Sequence, residues 1–346
     1  MTQLRRSAAV RAAVGIVISV VAIALILGQV DLARTADVLA TAAPVWVGLM
    51  LALTFTDLLF RAWRWQRLLA PIHHVPYLRT LGYLGIGYFA NNLLPARLGE
   101  LVRSHYLGDR EGISRATTLG TVVVERVVDT AMVVAIAATA IVVLQVRGLI
   151  ANAVLVGFAF VTLLILLIGS LILAHRLPGA ARLAAAADRW PRIQDLVGKL
   201  RGGVAVAGKP RTLAQAIALS GCAWTATTLG FAAGAQAVGV QLTLAQAALL
   251  ASGTALATAV PAGPGNLGTY DLAASTIAVT LGVPVNTAFA IALLTHASTL
   301  LVTSALGSVS LLRLGWARAE PPKIEEAAVD RGAARGPLVR RKPAGD

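Results

Sequence analysis

Apolar residues run along this chain in blocks without the alternation of a barrel strand, and polar residues gather in the gaps between them. The unbroken blocks lie near residues 12–28, 43–60, 117–145, 151–174, 212–238 and 285–312. Each approaches the roughly 20 residues that carry a helix across a bilayer, so the pattern predicts an all-α polytopic bundle with about six full transmembrane helices. Two further apolar regions, 80–110 and 243–282, are interrupted midway by proline and glycine. They predict two helix–break–helix hairpins, each re-entrant from one side of the membrane, or eight or more spans in all if every arm crosses fully.

Composition agrees with this reading. Of 346 residues, 57% are hydrophobic and 13% charged, against about 25% charged in an ordinary soluble domain. The net charge of +14 points to membrane topology and anionic headgroups rather than nucleic acid, because the bases sit in loops between apolar blocks. Arg5, Arg6 and Arg11 precede the first block; Arg61, Arg64, Arg67 and Arg79 follow the second; eight Lys and Arg residues fill 175–211. The alternate loops 29–42, 146–150 and 239–242 hold only Arg34 and Arg147. By the positive-inside rule both termini are expected in the cytoplasm, in a plasma-membrane protein. The opening MTQLRR and its apolar run read as an uncleaved first helix. Cys222 is the single cysteine, so neither a disulfide framework nor a cysteine metal site is expected, and no cofactor is implied.

With that sidedness the two broken hairpins open from opposite faces, and the chain divides into inverted halves, about 12–174 and 212–312. Residues 175–211 form a cytoplasmic connection with an interfacial amphipathic helix, and 316–346 a disordered charged tail. The breaks echo one another: Pro95, Gly99 and Glu100 in the first, Pro261, Gly263, Gly265, Gly268 and Asp271 in the second. Paired interrupted segments of this kind point to a midplane site in a transporter.

The candidate chemistry gathers at the same breaks. In NNLLPARLGELVR, Pro95 ends a helix, and Asn91 and Asn92 offer amides to the freed backbone or to a headgroup. Arg97, Glu100 and Arg103 at i, i+3 and i+6 predict one helix face on which guanidinium groups take a phosphate and Glu100 orients one of them. In the next block Glu125, Arg126 and Asp129 lie below the headgroup layer, with Arg126 and Asp129 spaced for a local ion pair; they read as a structural clasp or as the lining of a headgroup path. Asp57, Arg61 and Arg64, beside Trp63 and Trp65, read as topology markers and interface anchors at a helix end. His296, deep in the last block, reads as a hydrogen-bonded packing residue.

At these motifs the sequence resembles the flippase-like transmembrane domain of bacterial lysylphosphatidylglycerol synthases and their stand-alone relatives. NNLLPARLGELVR, then GISRATTLGTVVVERVVD, then PAGPGNLGTYD carry the likeness, in that order, over about residues 10–315. The resemblance implies a bundle that moves a lipid with a polar headgroup between leaflets. It carries polar motif positions onto Asn92, Pro95, Arg97, Gly99, Glu100, Arg103, Glu125, Arg126 and Asp129. The second hairpin departs from the family's usual PGGLG followed by an acid. No likeness to the soluble aminoacyl-transferase domain of fused members appears, so no enzyme activity is expected.

The leading expectation is a lipid flippase for a phospholipid or a polyprenyl-phosphate-linked lipid, its partners being membrane lipids with an anionic or phosphate-containing headgroup and either further copies of itself or a lipid-biosynthetic enzyme. No GxxxxGK[ST] loop occurs, so direct ATP drive is not expected. A non-transporting partner of a glycosyltransferase or envelope-lipid pathway is the alternative. An intramembrane enzyme ranks below both, since neither HExxH nor GxSxG is present.

Overall fold

The computed structural model describes residues 2–94, 98–148, 152, 159, 163, 198–200, 202–258 and 262–315, and no strand occurs among them. Among the described residues four helices are long and apolar enough to cross a membrane: α3 (Pro44–Leu69), α6 (Arg115–Leu144), α7 (Pro210–Ala237) and α10 (Val285–Leu314). Proline opens α3 and α7, where its missing N–H would have had no helical partner in any case. Helices α1 (Thr2–Leu27) and α2 (Leu32–Ala40), joined at an 85° bend, reach the same length and apolarity only when taken together. Asp31 starts α2 after the bend, its carboxylate accepting from the backbone N–H groups of Ala33 and Arg34.

The two interrupted regions fold as re-entrant hairpins. The first pairs α4 (Tyr77–Leu93) with α5 (Gly99–Glu111), the second α8 (Leu244–Ala257) with α9 (Thr269–Thr280). With 13, 14 and 12 residues, α5, α8 and α9 extend only about 18–21 Å, short of a hydrocarbon core about 30 Å thick. The first hairpin leaves by the side it enters: Tyr83 near the start of α4 donates to Glu111 at the end of α5 (2.7 Å). At the other end Gly99 N–H donates to Asn91 Oδ1 (2.7 Å), so the asparagine caps the new helix across the break. The outer ends of α8 and α9, at Leu242, Leu281 and Val283, pack with Leu144 and Val146 beyond the far end of α6.

The halves are inverted. Arg64 meets Ser220, Asp57 meets Thr227 and Gly234 lies against Met50, an antiparallel register between α3 and α7, the long helices that precede the two hairpins. Each half then repeats one order: long helix, broken hairpin, long helix. Contacts repeat as well, α4 packing on α10 as α8 packs on α6. This register sets the end of α3 beside the start of α7, so the segments that follow α3 and precede α7 share one side, and Ala43 bonds Ala237 on the other. The hairpin tips meet between them, where Gly265 of the second faces the Asn92 carbonyl oxygen of the first.

Two sequence expectations change. Helix α3 runs to Leu69 rather than ending near 60, because Arg61 and Arg64 turn inward and are buried. The last part of the connection is packed rather than interfacial: Val204 and Val206 join a core cluster with Leu68, Val124 and Ala216. The expected span 151–174, the rest of the connection and the tail fall outside the described residues, apart from isolated positions.

Gly99 permits the tight turn of the first hairpin. A Cβ there would overlap the Gly87 carbonyl oxygen and approach Asn91 Oδ1 to 2.6 Å, whereas nothing lies within 4 Å of one at Gly48. Gly99→Ala is therefore expected to lose most of the monodisperse protein seen by size-exclusion chromatography, and Gly48→Ala to retain it.

Candidate functional site

The charged residues of the first half converge on one buried network. Asp57, Arg61 and Arg64 occupy one face of α3, at i, i+4 and i+7, and Ser220, Trp224 and Thr227 repeat that spacing on α7. Arg61 Nε donates to both Asp57 oxygens (2.8 Å each) and its Nη1 to Asp129 Oδ2 (2.7 Å). Arg64, fully buried, donates from Nη1 to Asp129 Oδ1 (2.8 Å) and Ser220 Oγ (2.7 Å), and from Nη2 to Glu125 Oε1 (3.1 Å). Trp224 Nε1–H adds a further bond to Asp129 Oδ1 at 2.9 Å.

Helix α5 supplies the remaining partners. Arg103 pairs with Glu125 Oε2 (3.0 Å) and lies over the Trp65 ring, 4.6 Å from its centroid. Glu100 pairs with Arg126 Nη2 at 2.9 Å. Four arginines thus face four carboxylates: Arg61, Arg64, Arg103 and Arg126 against Asp57, Glu100, Glu125 and Asp129. Asp129 sits midway along α6, about 21 Å from its first residue at 1.5 Å per residue. Charges at such depth are tolerated because each finds an oppositely charged partner.

Beside this network lies a cavity of about 310 Å³, at the lower end of the range for ligand pockets. One wall is charged, formed by Asp57, Arg61, Glu100, Arg126 and Asp129; the other is the broken second hairpin, with Gly263, Gly265 and Tyr270, together with His296 of α10. Asn91 and Asn92 join the walls at the tip of the first hairpin. Asn92 Nδ2 is anchored on Thr303 (2.8 Å) and Ser304 (2.9 Å) of α10. Helix α1 braces the second tip from behind, Ser19 Oγ accepting from Gly263 N–H at 3.0 Å.

The expected site residues separate into distinct groups here. Asn91, Asn92, Glu100, Arg126, Asp129, Gly263 and Gly265 line the cavity. Glu125 and Arg103 lie behind its charged wall, and Gly99 belongs to the hairpin turn. Asp271 accepts from Gly268 N–H (3.0 Å) at the start of α9, behind His296. Pro95, Arg97 and Pro261 are outside the described residues.

Several pairings differ from those that sequence spacing suggests. Arg126 does not clasp its helical neighbour Asp129 but reaches Glu100 on α5, while Asp129 is taken by two arginines of α3. Glu100 therefore orients Arg126, not Arg103. Arg61 and Arg64 are network members rather than topology markers, and Trp65 is no interface anchor: it is buried, with Nε1–H donating to Thr121 Oγ1. Only Trp63 keeps the expected exposed position. The i, i+4, i+7 spacing shared by α3 and α7 was the available signal for the missed residues.

A family profile described as the lysylphosphatidylglycerol synthase TM region matches residues 12–307. The chain belongs to this family. The match spans α3 to α9 entirely and most of α10, so both hairpins and the whole charged network lie within the lysylphosphatidylglycerol synthase TM region. No curated protein and no solved structure matches the chain.

Proposed function

We propose that this chain is a lipid flippase that carries the polar headgroup of a phospholipid or polyprenyl-phosphate-linked lipid between leaflets. The observation that supports this best is the charged cavity lying where the tips of two oppositely opening hairpins meet. A headgroup in transit needs polar contacts at membrane depth, and the cavity supplies them while acyl chains remain in lipid. Arg126 is the phosphate receiver. Its side chain is about one-third exposed (34%), and its Nε has no hydrogen-bond partner among the described residues. Arg61 stands on the same wall, and Asp57 and Glu100 suit an ammonium group on the same cargo. The protein performs no covalent step in this reading.

The deciding experiment is reconstitution of the purified chain alone into vesicles containing a fluorescent phospholipid, with leaflet exchange followed by a membrane-impermeant quencher. Exchange well above that of empty vesicles is expected. Exchange at the empty-vesicle rate would instead favour a non-transporting partner of a lipid-pathway enzyme.

The same reading puts the protein in the cytoplasmic membrane with both termini and the 175–211 connection inside. Gln29 and Gly202, both exposed, lie at opposite ends of the bundle. In a Cys222→Ala background, Gln29→Cys should react with an impermeant thiol reagent on intact cells and Gly202→Cys should not. The converse labelling would reverse the orientation.

A further inference from the structure

Outside the arginine network, α9 of the second hairpin and the following α10 bring together two titratable side chains 25 positions apart in sequence. His296 sets Nδ1 2.9 Å from Asp271 Oδ1 and Nε2 2.8 Å from the carbonyl oxygen of Gly265. The other oxygen of Asp271 accepts from Gly268 N–H at 3.0 Å. Both side chains are buried, and the Tyr270 ring stacks on the imidazole at 4.2 Å.

Donor and acceptor rules fix the proton count. A carbonyl oxygen only accepts, so Nε2 carries a proton. A carboxylate oxygen also only accepts, so its contact with Nδ1 requires a second proton between them. The pair is complete as imidazolium with carboxylate, or as neutral imidazole with carboxylic acid. Both forms hold one proton more than a neutral imidazole beside a carboxylate.

We propose that His296 and Asp271 form a coupling-proton site: the shared proton fixes the Gly265–Gly268 turn of the second hairpin, and its loss releases that turn. The proposal rests on the transporter reading above. When the proton passes to water in the cavity, the pair goes from zero net charge to −1 and two lone pairs face each other. One side chain must then turn away, and the hydrogen bond to Gly265 or to Gly268 goes with it. Those bonds hold the two ends of a turn in which Gly265, Asn266 and Gly268 all have positive φ. Because this turn faces both the cavity and the Asn92 carbonyl oxygen, its release loosens the contact between the hairpin tips. Across the cavity stand Asp57 and Arg61 of α3, Tyr88 of α4, Glu100 of α5, and Arg126 and Asp129 of α6. The cavity-lining residues of α7 and α8 carry no charge. Tyr88 aside, these groups are engaged in ion pairs of their own, which leaves the dyad between α9 and α10 as the buried site with a removable proton.

The test uses the full chain in lipid nanodiscs with ¹⁵N-labelled histidine. The chain has five histidines, and His296→Gln assigns the relevant signal. The expected result is loss of one proton from the pair as pH is raised across the range from acid to alkaline, with faster amide exchange over 262–268 above the transition. Asp271→Asn offers Nδ2 to the imidazole and Oδ1 to Gly268, reproducing the bonding without a removable proton. In that variant both the histidine signal and the exchange of the turn should lose their pH dependence. An unchanged His296 signal across the range in the wild-type protein would overturn the proposal.

A second arm reads the coupling itself. With fluorescent phosphatidylglycerol in vesicles, an imposed pH gradient should drive lipid asymmetry through the wild-type protein, and no asymmetry through Asp271→Asn. Wild-type exchange without gradient-driven asymmetry would overturn the coupling while leaving the flippase reading intact. No wild-type exchange at all would remove the transporter reading and the coupling with it, and the histidine titration alone would then decide whether the pair binds a proton.

Discussion

Arg64→Met is expected to destabilise the protein by about 3–5 kcal/mol, the cost of leaving buried charge without its partner. Arg64 is the centre of the network, bound to Asp129, Glu125 and Ser220 from three sides, with no solvent exposure. A methionine fills the volume and removes the cation, leaving two carboxylates in the bundle interior sharing the remaining arginines. Unfolding in lipid nanodiscs, followed by heat or denaturant, measures the loss. Removing one charge of each sign should behave differently. Arg103 and Glu125 face one another at 3.0 Å, so Arg103→Met combined with Glu125→Leu preserves the balance of the other pairs. That double variant is expected to recover most of the stability that either single change costs. Additive losses would mean that the pair is not coupled and that the network is not the clasp between α3, α5, α6 and α7.

The second large effect is on cargo rather than folding. Arg126→Lys keeps the charge but loses the planar fork that binds a phosphate through two parallel hydrogen bonds. The ammonium can still pair with Glu100 on α5, so the hairpin remains anchored. Charge-assisted hydrogen bonds contribute about 1.5–3 kcal/mol, so affinity for a phosphate-bearing lipid should fall roughly 10- to 150-fold. The measurement is saturation of exchange with increasing mole fraction of labelled phosphatidylglycerol, with thermal stability checked alongside. Unchanged saturation in a normally stable Arg126→Lys protein would take the phosphate away from Arg126.

The hairpins were legible in the sequence because their signal is local. Pro95 and Gly99 in one block, and the glycines from 263 to 268 in the other, interrupt an apolar run, and no distant contact is needed to see that a helix stops there. Their opposite directions were legible too, since the base-rich loops mark one side. The partners within the site were not. Arg126 and Asp129 have the spacing of a helical ion pair, yet Arg126 projects to Glu100 and Asp129 to the arginines of α3, choices made by how helices pack. Arg61 and Arg64 follow an apolar block in the way that interface anchors do, and only the position of α6 and α7 against α3 shows that they point inward. His296 and Asp271 likewise belong to different helices, and neither residue's neighbours in sequence announce the other. The bend between α1 and α2 rests on a capping aspartate inside a short polar stretch that reads equally well as an ordinary loop.

The central claim is that a headgroup crosses the membrane through the cavity between the hairpin tips, and blocking that cavity tests it most directly. Ala255 of α8 lines the cavity and belongs to none of the ion pairs, so Ala255→Trp places an indole in the path without removing a charge. Leaflet exchange should be compared in vesicles holding equal amounts of wild-type and variant protein of equal thermal stability. Loss of nearly all exchange in the folded variant is the expected result, and a full wild-type rate would contradict the account.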